Sequence, residues 1–254
     1  MTAPASPQTR ARLLDYAPWI LRDYLMQHGL ATTIVMLLVG VASIAPVMAL
    51  AGDNYVMGEV PNPAAAQLLV VMSERLAFLG AFFATNGIIA NDRKLGHYRF
   101  LFAKPVRPWQ YYGATFLIYG LGLLAVTVLL ALVWGWVVRP ALSIELLLIV
   151  ALMYVMYGGL GFLLSAAWRF DWLSLVSVVL IANLGWWAWA NAAGWRHWVL
   201  YLLPPVHRDD AVYALLGPME AAVPWSTIAW LGGYGLICLL LGLIVVHKRP
   251  LGTS

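Results

Sequence analysis

The sequence YYGATFLIYGLGLLAVTVLLALVWGWVV, residues 111–138, contains no Asp, Glu, Lys or Arg, and it follows the basic segment NDRKLGHYRFLFAKPVRPWQ, residues 91–110. An α-helix needs about 20 apolar residues to cross a hydrocarbon core of roughly 30 Å. The continuous run also excludes an outer-membrane barrel strand, because such strands alternate with a period of two residues. This stretch therefore predicts a membrane-spanning helix that is preceded by a basic loop.

Five further apolar windows surround this one. They cover residues 31–50, 64–90, 146–167, 172–193 and 225–246. Hydrophobic residues make up 63% of the 254-residue chain and charged residues 10%, whereas ordinary soluble domains are about half apolar. The pattern predicts an all-α integral membrane protein with six transmembrane helices. No repeat or linker divides it, so residues 1–254 form one transmembrane domain.

The positive charges predict the orientation of these helices. Five cations against one anion lie in residues 91–110, and further cations cluster in the N-terminal arm and at the C-terminal end: Arg10, Arg12, Arg22, Lys248 and Arg249. Because cytoplasmic loops carry an excess of Lys and Arg, both termini are expected in the cytoplasm, with the chain crossing the cell inner (plasma) membrane several times. The net charge of +4 is thereby explained without a nucleic-acid partner.

Two segments outside the windows have patterns of their own. In APWILRDYLMQHG, residues 17–29, the residues Ile20, Leu21, Tyr24 and Leu25 are expected on one face of an interfacial amphipathic helix. The alternative is a polar extension of the first spanning helix. The external segment 194–224 has apolar stretches that predict two short re-entrant helices. Its alternative is an ordinary external loop packed on the bundle.

The sequence has few features of catalytic chemistry. It lacks GxxxxGK[ST], HExxH and GxSxG, and its one cysteine, Cys238, lies within the sixth window. The five histidines all lie near predicted membrane ends or in loops. We therefore expect no catalytic residue, no metal site and no cofactor in this chain.

Polar and aromatic residues within the windows are candidates for a translocation path or a subunit seam. They are Glu74, Arg75, Asn86, Trp186 and Trp187. Ionisable groups at membrane depth cost free energy on insertion and are often functional. The alternative is that the second helix begins near Ser73, so that Glu74 and Arg75 lie near the membrane surface. The tryptophans also fit an aromatic belt at the membrane interface. Glycines in the fourth and sixth windows, among them Gly159, Gly233 and Gly235, predict close helix packing.

The order of these parts, with the local pattern of residues 91–111, resembles type 2 permeases of ABC exporters. The matching positions are Asp92, Arg93, Gly96, Leu101, Phe102, Pro105, Val106, Arg107 and Tyr111. Two positions depart from the family pattern: Ala114 and Thr115 stand where a lysine is common, and His97 stands where Ser or Thr is frequent.

The resemblance implies partners and a docking element. Two copies of a separate ABC ATPase would carry ATP and Mg²⁺, a second permease copy or a sister permease would complete the transporter, and an external binding protein is possible. Residues 91–110 would form a coupling helix. The expected ATPase-coupling residues are Asp92, Arg93, Lys94, Gly96, His97, Arg99, Leu101, Phe102, Lys104, Pro105, Arg107 and Trp109. The positive charge of residues 91–110 has an alternative explanation, namely a solvated loop that binds lipid headgroups.

The predicted function is therefore that of an exporter permease, or of a subunit that transmits mechanical work to an external partner. The sequence does not indicate which cargo is exported. Two other classes remain: a membrane-embedded enzyme acting on lipid or peptide through Glu74, Arg75, His207, Asp209 and Asp210, and an ion-coupled carrier, which would need charged or broken helices at mid-membrane.

Overall fold

The computed structural model describes residues 13–51, 77–82, 85, 88–89, 92, 107–137, 142–167, 171–189, 194–208, 210–213, 215 and 223–248, and this part contains no strand. Its helices are α1 (Leu13–Asp23), a π-helix (Tyr24–Gly29), α2 (Leu30–Ala51), α3 (Pro108–Val137), α4 (Ile144–Ala167), α5 (Asp171–Trp189), α6 (Trp195–Leu202), α7 (Asp210–Tyr213) and α8 (Trp225–Lys248). A 3₁₀ turn, Val206–Arg208, lies between α6 and α7. The described residues between 77 and 92 are helical as well.

Three of these helices, α3, α4 and α8, are long and apolar enough to cross a membrane. A fourth span results if α1 and α2, which bend by 47° at the π-helix, are counted together. The apolar part of α5, Ser174–Trp189, is shorter than a typical span. The all-helical prediction is thus confirmed for the described residues, which contain three or four candidate spans of the six predicted. Most of the second window lies outside them.

The N-termini of α3 and α4 follow from local sequence. Pro108 occupies the first position of α3, where its missing N–H costs nothing, and the carbonyl of Arg107 accepts hydrogen bonds from the backbone N–H groups of Gln110 and Tyr111 at 3.0 and 3.2 Å. At the start of α4, the N–H of Leu146 donates to Ser143 Oγ at 3.2 Å. This is the capping arrangement that Ser favours before a helix.

α3 and α4 run antiparallel and meet through aromatic rings. The ring centroids of Tyr112 and Phe162 lie 6.4 Å apart, while further along α3 the rings of Phe116 and Tyr154 are 4.7 Å apart. The Tyr154 hydroxyl donates to the backbone carbonyl of Phe116 at 2.5 Å. A Cβ at Gly120 would lie 2.7 Å from the Tyr154 ring, so glycine is what allows this ring to reach α3.

α4 and α8 run parallel, and their backbones touch. A Cβ at Gly159 would collide with the carbonyl oxygen of Gly235, and a Cβ at Gly235 would collide with the carbonyl of Val155 and lie 2.6 Å from the Cα of Met156. The predicted role of Gly159 and Gly235 in close packing is confirmed. Gly233 is different, because nothing lies within 4 Å of its Cβ position.

The N-terminal helix packs on α3 through part of its predicted apolar face. Ile20 and Tyr24 are buried, whereas Leu21 and Leu25 are 45% and 56% exposed. Successive helical residues point about 100° apart, so only Ile20 and Tyr24, one turn apart, face the bundle. The four positions span about 140° of the helix surface, so they still form one apolar face, of which Ile20 and Tyr24 contact the bundle; that this helix lies at the membrane interface stays a prediction. Tyr24 fits against Gly122 of α3 because that glycine has no side chain.

Candidate functional site

The contacts between helices define two ends of the bundle. Tyr112 near the start of α3 contacts Phe162 near the end of α4, and Phe162 also contacts Gly242 near the end of α8. The end of α1 joins them, since Asp23 interacts electrostatically with Tyr111. We call this the basic end, because its exposed described residues include Arg22, Arg107, His247 and Lys248. The C-terminal ends of α1 and α8 therefore approach the same end.

The opposite end is rich in tryptophan. The most exposed indoles of the described residues lie there, one on each of four helices: Trp136 of α3 (75%), Trp187 of α5 (87%), Trp198 of α6 (73%) and Trp225 of α8 (72%). We call this the aromatic end. Exposed indoles at one level of several helices are typical of a membrane–water interface.

Two of the predicted coupling residues, Arg107 and Trp109, lie at the basic end and are exposed. Arg107 directly precedes α3, and Trp109 in its first turn is 41% exposed. Their backbone is fixed by the hydrogen bonds that the Arg107 carbonyl accepts from the first turn of α3. A cation and an indole are therefore presented on the rigid start of a long helix. Of the other coupling candidates, only Asp92 falls within the described residues; the remaining ones, from Arg93 to Pro105, lie outside them.

Asp92 differs from Arg107 and Trp109 because its side chain is only 9% exposed. Its carboxylate interacts electrostatically with the phenols of Tyr111 and Tyr119, and so does the carboxylate of Asp23. Tyr111 and Tyr119 lie two turns apart on one face of α3. Between them, the Thr115 hydroxyl donates to the Tyr111 carbonyl at 2.9 Å. Two acids from separate parts of the chain thus meet one polar face of α3.

The ring of Tyr24 packs beside the ring of Tyr119. Its centroid lies 4.7 Å from that of Tyr119. The Tyr24 hydroxyl is buried and has no hydrogen-bond partner in the described part of the chain. We refer to Asp23, Tyr24, Asp92, Tyr111 and Tyr119 as the acid–tyrosine cluster. Its members come from α1, the π-helix, the end of the second window and α3, so these elements lie close together at the basic end.

The sequence did not draw attention to the acid–tyrosine cluster. Of its members only Asp92 was a candidate site residue. A usable signal exists in the tyrosines of α3, where Tyr111 and Tyr119 are eight residues apart and share a face. Their meeting with Asp23 depends on tertiary packing, which periodicity alone does not show.

The aromatic end contains the described translocation candidates, Trp186 and Trp187. Trp187 is 87% exposed. The Trp186 ring stacks on His207 of the 3₁₀ turn, with centroids 3.4 Å apart and planes 25° apart, and its indole Nε1 is buried with no hydrogen-bond partner among the described residues. The other candidates, Glu74, Arg75 and Asn86, lie outside the described residues.

The segment around α6 is attached to α8 as well as to α5. The Tyr234 hydroxyl of α8 donates to the carbonyl of Leu202 at 3.1 Å. The rings of Tyr201 and Trp230 meet edge to face at 5.7 Å. Short helices α6 and α7 lie within residues 194–224, and α6 packs on the bundle through these contacts. That they re-enter the membrane stays a prediction.

The described residues contain no group of three His, Cys, Asp or Glu side chains placed to hold a metal ion. Cys238 is buried in α8. Asp23 and Asp92 contribute two carboxylates to the acid–tyrosine cluster, but its remaining members are phenols.

Comparisons of the chain with protein-family models, with curated proteins and with solved structures find no significant match. A proposal for its function therefore depends on the residues and their geometry.

Proposed function

We propose that the chain is the transmembrane permease subunit of an ABC exporter, driven by two copies of a separate ATPase that bind at the basic end. In this proposal it has six spans in the cell inner membrane, with both termini in the cytoplasm, and it works beside a second copy or a sister permease. It exports a cargo directly or transmits mechanical work to an external partner. The observation that carries the proposal is the exposure of Arg107 and Trp109 at the start of α3.

The chemistry of these two residues suits a docking surface. Trp and Arg are the residues that most often dominate the energetics of protein interfaces. Charges at the edge of an interface steer the partner and set its orientation. Trp109 can supply a desolvated anchor, and the other described cations of the basic end, Arg22 and Lys248, add positive potential that favours an acidic partner surface.

The acid–tyrosine cluster brings the start of residues 91–110 near α1 and α3. Asp92, at the start of that segment, interacts with Tyr111 and Tyr119 of α3. Asp23 of α1 interacts with the same two phenols. A partner bound to residues 91–110 would therefore lie close to both α1 and α3.

The test is association with an ATPase. The chain is co-expressed with each ABC ATPase of its own genome neighbourhood, and complexes are isolated through a tag on the permease. We expect one ATPase to be retained and its ATP hydrolysis to increase. Trp109→Ala is expected to weaken retention by roughly thirtyfold, the effect of losing an interface hot spot of about 2 kcal/mol.

Trp136→Ala is the matched control, because Trp136 is an exposed indole at the other end of the same helix. It should leave retention of the ATPase unchanged. Failure of every candidate ATPase to bind, or equal losses for Trp109→Ala and Trp136→Ala, contradicts the proposal.

A further inference from the structure

The helix at the N-terminal end of the described chain changes its hydrogen-bond pattern for one turn, in the π-helix Tyr24–Gly29. A π turn holds one residue more than an α turn, because its hydrogen bonds join residues five apart instead of four. Such turns are rare and are frequently found at functional sites. α1 and α2 also bend by 47° here, so a segment of different geometry joins the two helices.

The extra residue determines which side chains of α1 face the bundle. On α2 the buried face is marked by Thr32 and Met36. In an uninterrupted α-helix Tyr24, eight residues before Thr32, would point about 80° away from it, at about 100° per residue. Tyr24 and Ile20 are nevertheless buried against the bundle, because the wider π turn takes up this difference.

A second apolar pair is in phase with α2 when the helix is uninterrupted. Leu25 lies seven residues before Thr32 and Leu21 lies eleven residues before it, so both would then point within about 20° of Thr32. This pair has the same four-residue spacing as Ile20 and Tyr24, displaced by one residue, and it is exposed in the structure. The sequence therefore offers α3 two apolar pairs, one for a helix with the π turn and one for a helix without it.

The pair that is buried in the structure has an advantage and a cost. The Tyr24 ring fits over Gly122, which has no side chain, and contacts the Tyr119 ring at 4.7 Å. Its hydroxyl, however, is buried without a hydrogen-bond partner in the described part of the chain, and an unsatisfied buried polar group costs free energy. Leu25 has no polar group to bury. These opposing contributions favour two packings of similar free energy, as in other bistable elements.

We infer that the π-helix is a conformational switch between two settings of α1. In the first setting, which is that of the structure, the π turn is present and Ile20 and Tyr24 face α3. In the second setting residues 24–29 are α-helical and α1 is turned about its axis by about 100°, the angle of one residue. Leu21 and Leu25 then face α3 in place of the first pair.

The second setting changes the surroundings of Asp23. In the structure this carboxylate lies within electrostatic range of Tyr111 and Tyr119. A turn of about 100° moves it away from the face of α1 that meets α3, so the acid–tyrosine cluster keeps Asp92 and loses Asp23. The Tyr24 hydroxyl leaves the bundle in the same movement. The switch goes beyond the proposed function and does not depend on it, because it concerns contacts within this chain alone.

Disulfide crosslinking between α1 and α3 tests the two settings. In a Cys238→Ala background, Tyr119→Cys is combined with Tyr24→Cys, Leu25→Cys or Met26→Cys, and the disulfide formed on mild oxidation is measured as loss of thiols that react with maleimide-PEG. Met26 is the control, because it is 71% exposed and faces α3 in neither setting. Helix register shifts take microseconds to milliseconds, so both settings are sampled during oxidation. Positions 24 and 25 should each crosslink at least about fivefold faster than position 26.

Deletion of Gln27 is the matched variant that locks the first setting. It shortens the π turn to an α turn, so Tyr24 then lies seven residues before Thr32 and stays in phase with it. The crosslink at position 25 should fall to the level of position 26, while that at position 24 persists.

A second readout keeps Tyr119. Tyr24→Cys, in the Cys238→Ala background, is reached by a small permeant maleimide only in the second setting, so deletion of Gln27 should slow its labelling at least about fivefold. Crosslinking at position 25 no faster than at position 26, or equal labelling of Tyr24→Cys with and without Gln27, overturns the inference and makes the π-helix a fixed bend. The labelling comparison decides if Tyr119→Cys does not fold, and the crosslinking comparison decides if the deletion does not.

Discussion

Two buried tyrosines, Tyr24 and Tyr154, differ in what their hydroxyl groups contact. The Tyr154 hydroxyl donates to the Phe116 carbonyl, whereas that of Tyr24 has no hydrogen-bond partner in the described part of the chain. Tyr154→Phe is therefore expected to lower the free energy of unfolding by about 1 kcal/mol, the usual net value of a hydrogen bond. Tyr24→Phe should be neutral or stabilising, because it removes a buried polar group that is not satisfied. Thermal unfolding in one detergent measures both.

Each of these variants serves as the control for the other, since both delete one oxygen and keep the ring. Their ring contacts, with Phe116 for Tyr154 and with Tyr119 for Tyr24, have the same centroid separation of 4.7 Å. A loss of stability in Tyr24→Phe equal to that in Tyr154→Phe would mean that the Tyr24 hydroxyl is bound by a group such as an internal water.

At the scale of elements, the contact between α4 and α8 depends on the absence of a side chain at Gly235. A methyl group there would meet the backbone of Val155 and Met156, which cannot move aside as a flexible side chain can. Gly235→Ala should therefore separate the two helices and cost roughly 1–3 kcal/mol, as overpacking does. The lowered apparent Tm of the purified protein measures this loss.

Gly233→Ala is the control on the same helix. Nothing lies within 4 Å of a Cβ at this position, and Ala is a better helix former than Gly by roughly 1 kcal/mol in water. Its Tm should stay the same or rise. If Gly233→Ala destabilises as strongly as Gly235→Ala, backbone flexibility of α8 matters more than its contact with α4.

The helices of the whole molecule were easier to predict than the side chains that meet between them. The window 146–167 corresponds to the observed helix Ile144–Ala167, and the window 225–246 corresponds to Trp225–Lys248. The bounds agree this well because hydropathy depends only on local sequence. The start of α3 came earlier than its apolar window because Pro108 and the carbonyl of Arg107 organise its first turn.

The side-chain contacts and burial of the candidate site were harder to predict from the sequence, as Gly235 and Asp92 illustrate. Hydropathy does not distinguish Gly235, whose backbone contacts α4, from Gly233, whose Cβ position has open space around it. It also assigned Asp92 to a charged loop, although the carboxylate is buried beside Tyr111 and Tyr119. Both properties arise from the crossing of helices that are distant in sequence, so a local pattern carries no information about them.

The two ends of the molecule make the membrane orientation testable. The basic end has Arg22, Arg107 and Lys248 exposed, and the start of α4 near the aromatic end has Glu145 exposed. Since cytoplasmic segments are enriched in Lys and Arg, the basic end is expected in the cytoplasm. In a Cys238→Ala background, an impermeant maleimide should label Glu145→Cys in intact cells and Lys248→Cys only in inverted membrane vesicles.

The result decides more than topology, because an ATPase that consumes cytoplasmic ATP can reach Arg107 and Trp109 only if the basic end faces the cytoplasm. Arg22→Cys provides an independent check, since Asp23 at the end of α1 lies within electrostatic range of Tyr111 at the start of α3. It should label together with Lys248→Cys and opposite to Glu145→Cys. Labelling of Lys248→Cys from outside intact cells would place the basic end away from any cytoplasmic ATPase, and the permease proposal would then fail with the orientation.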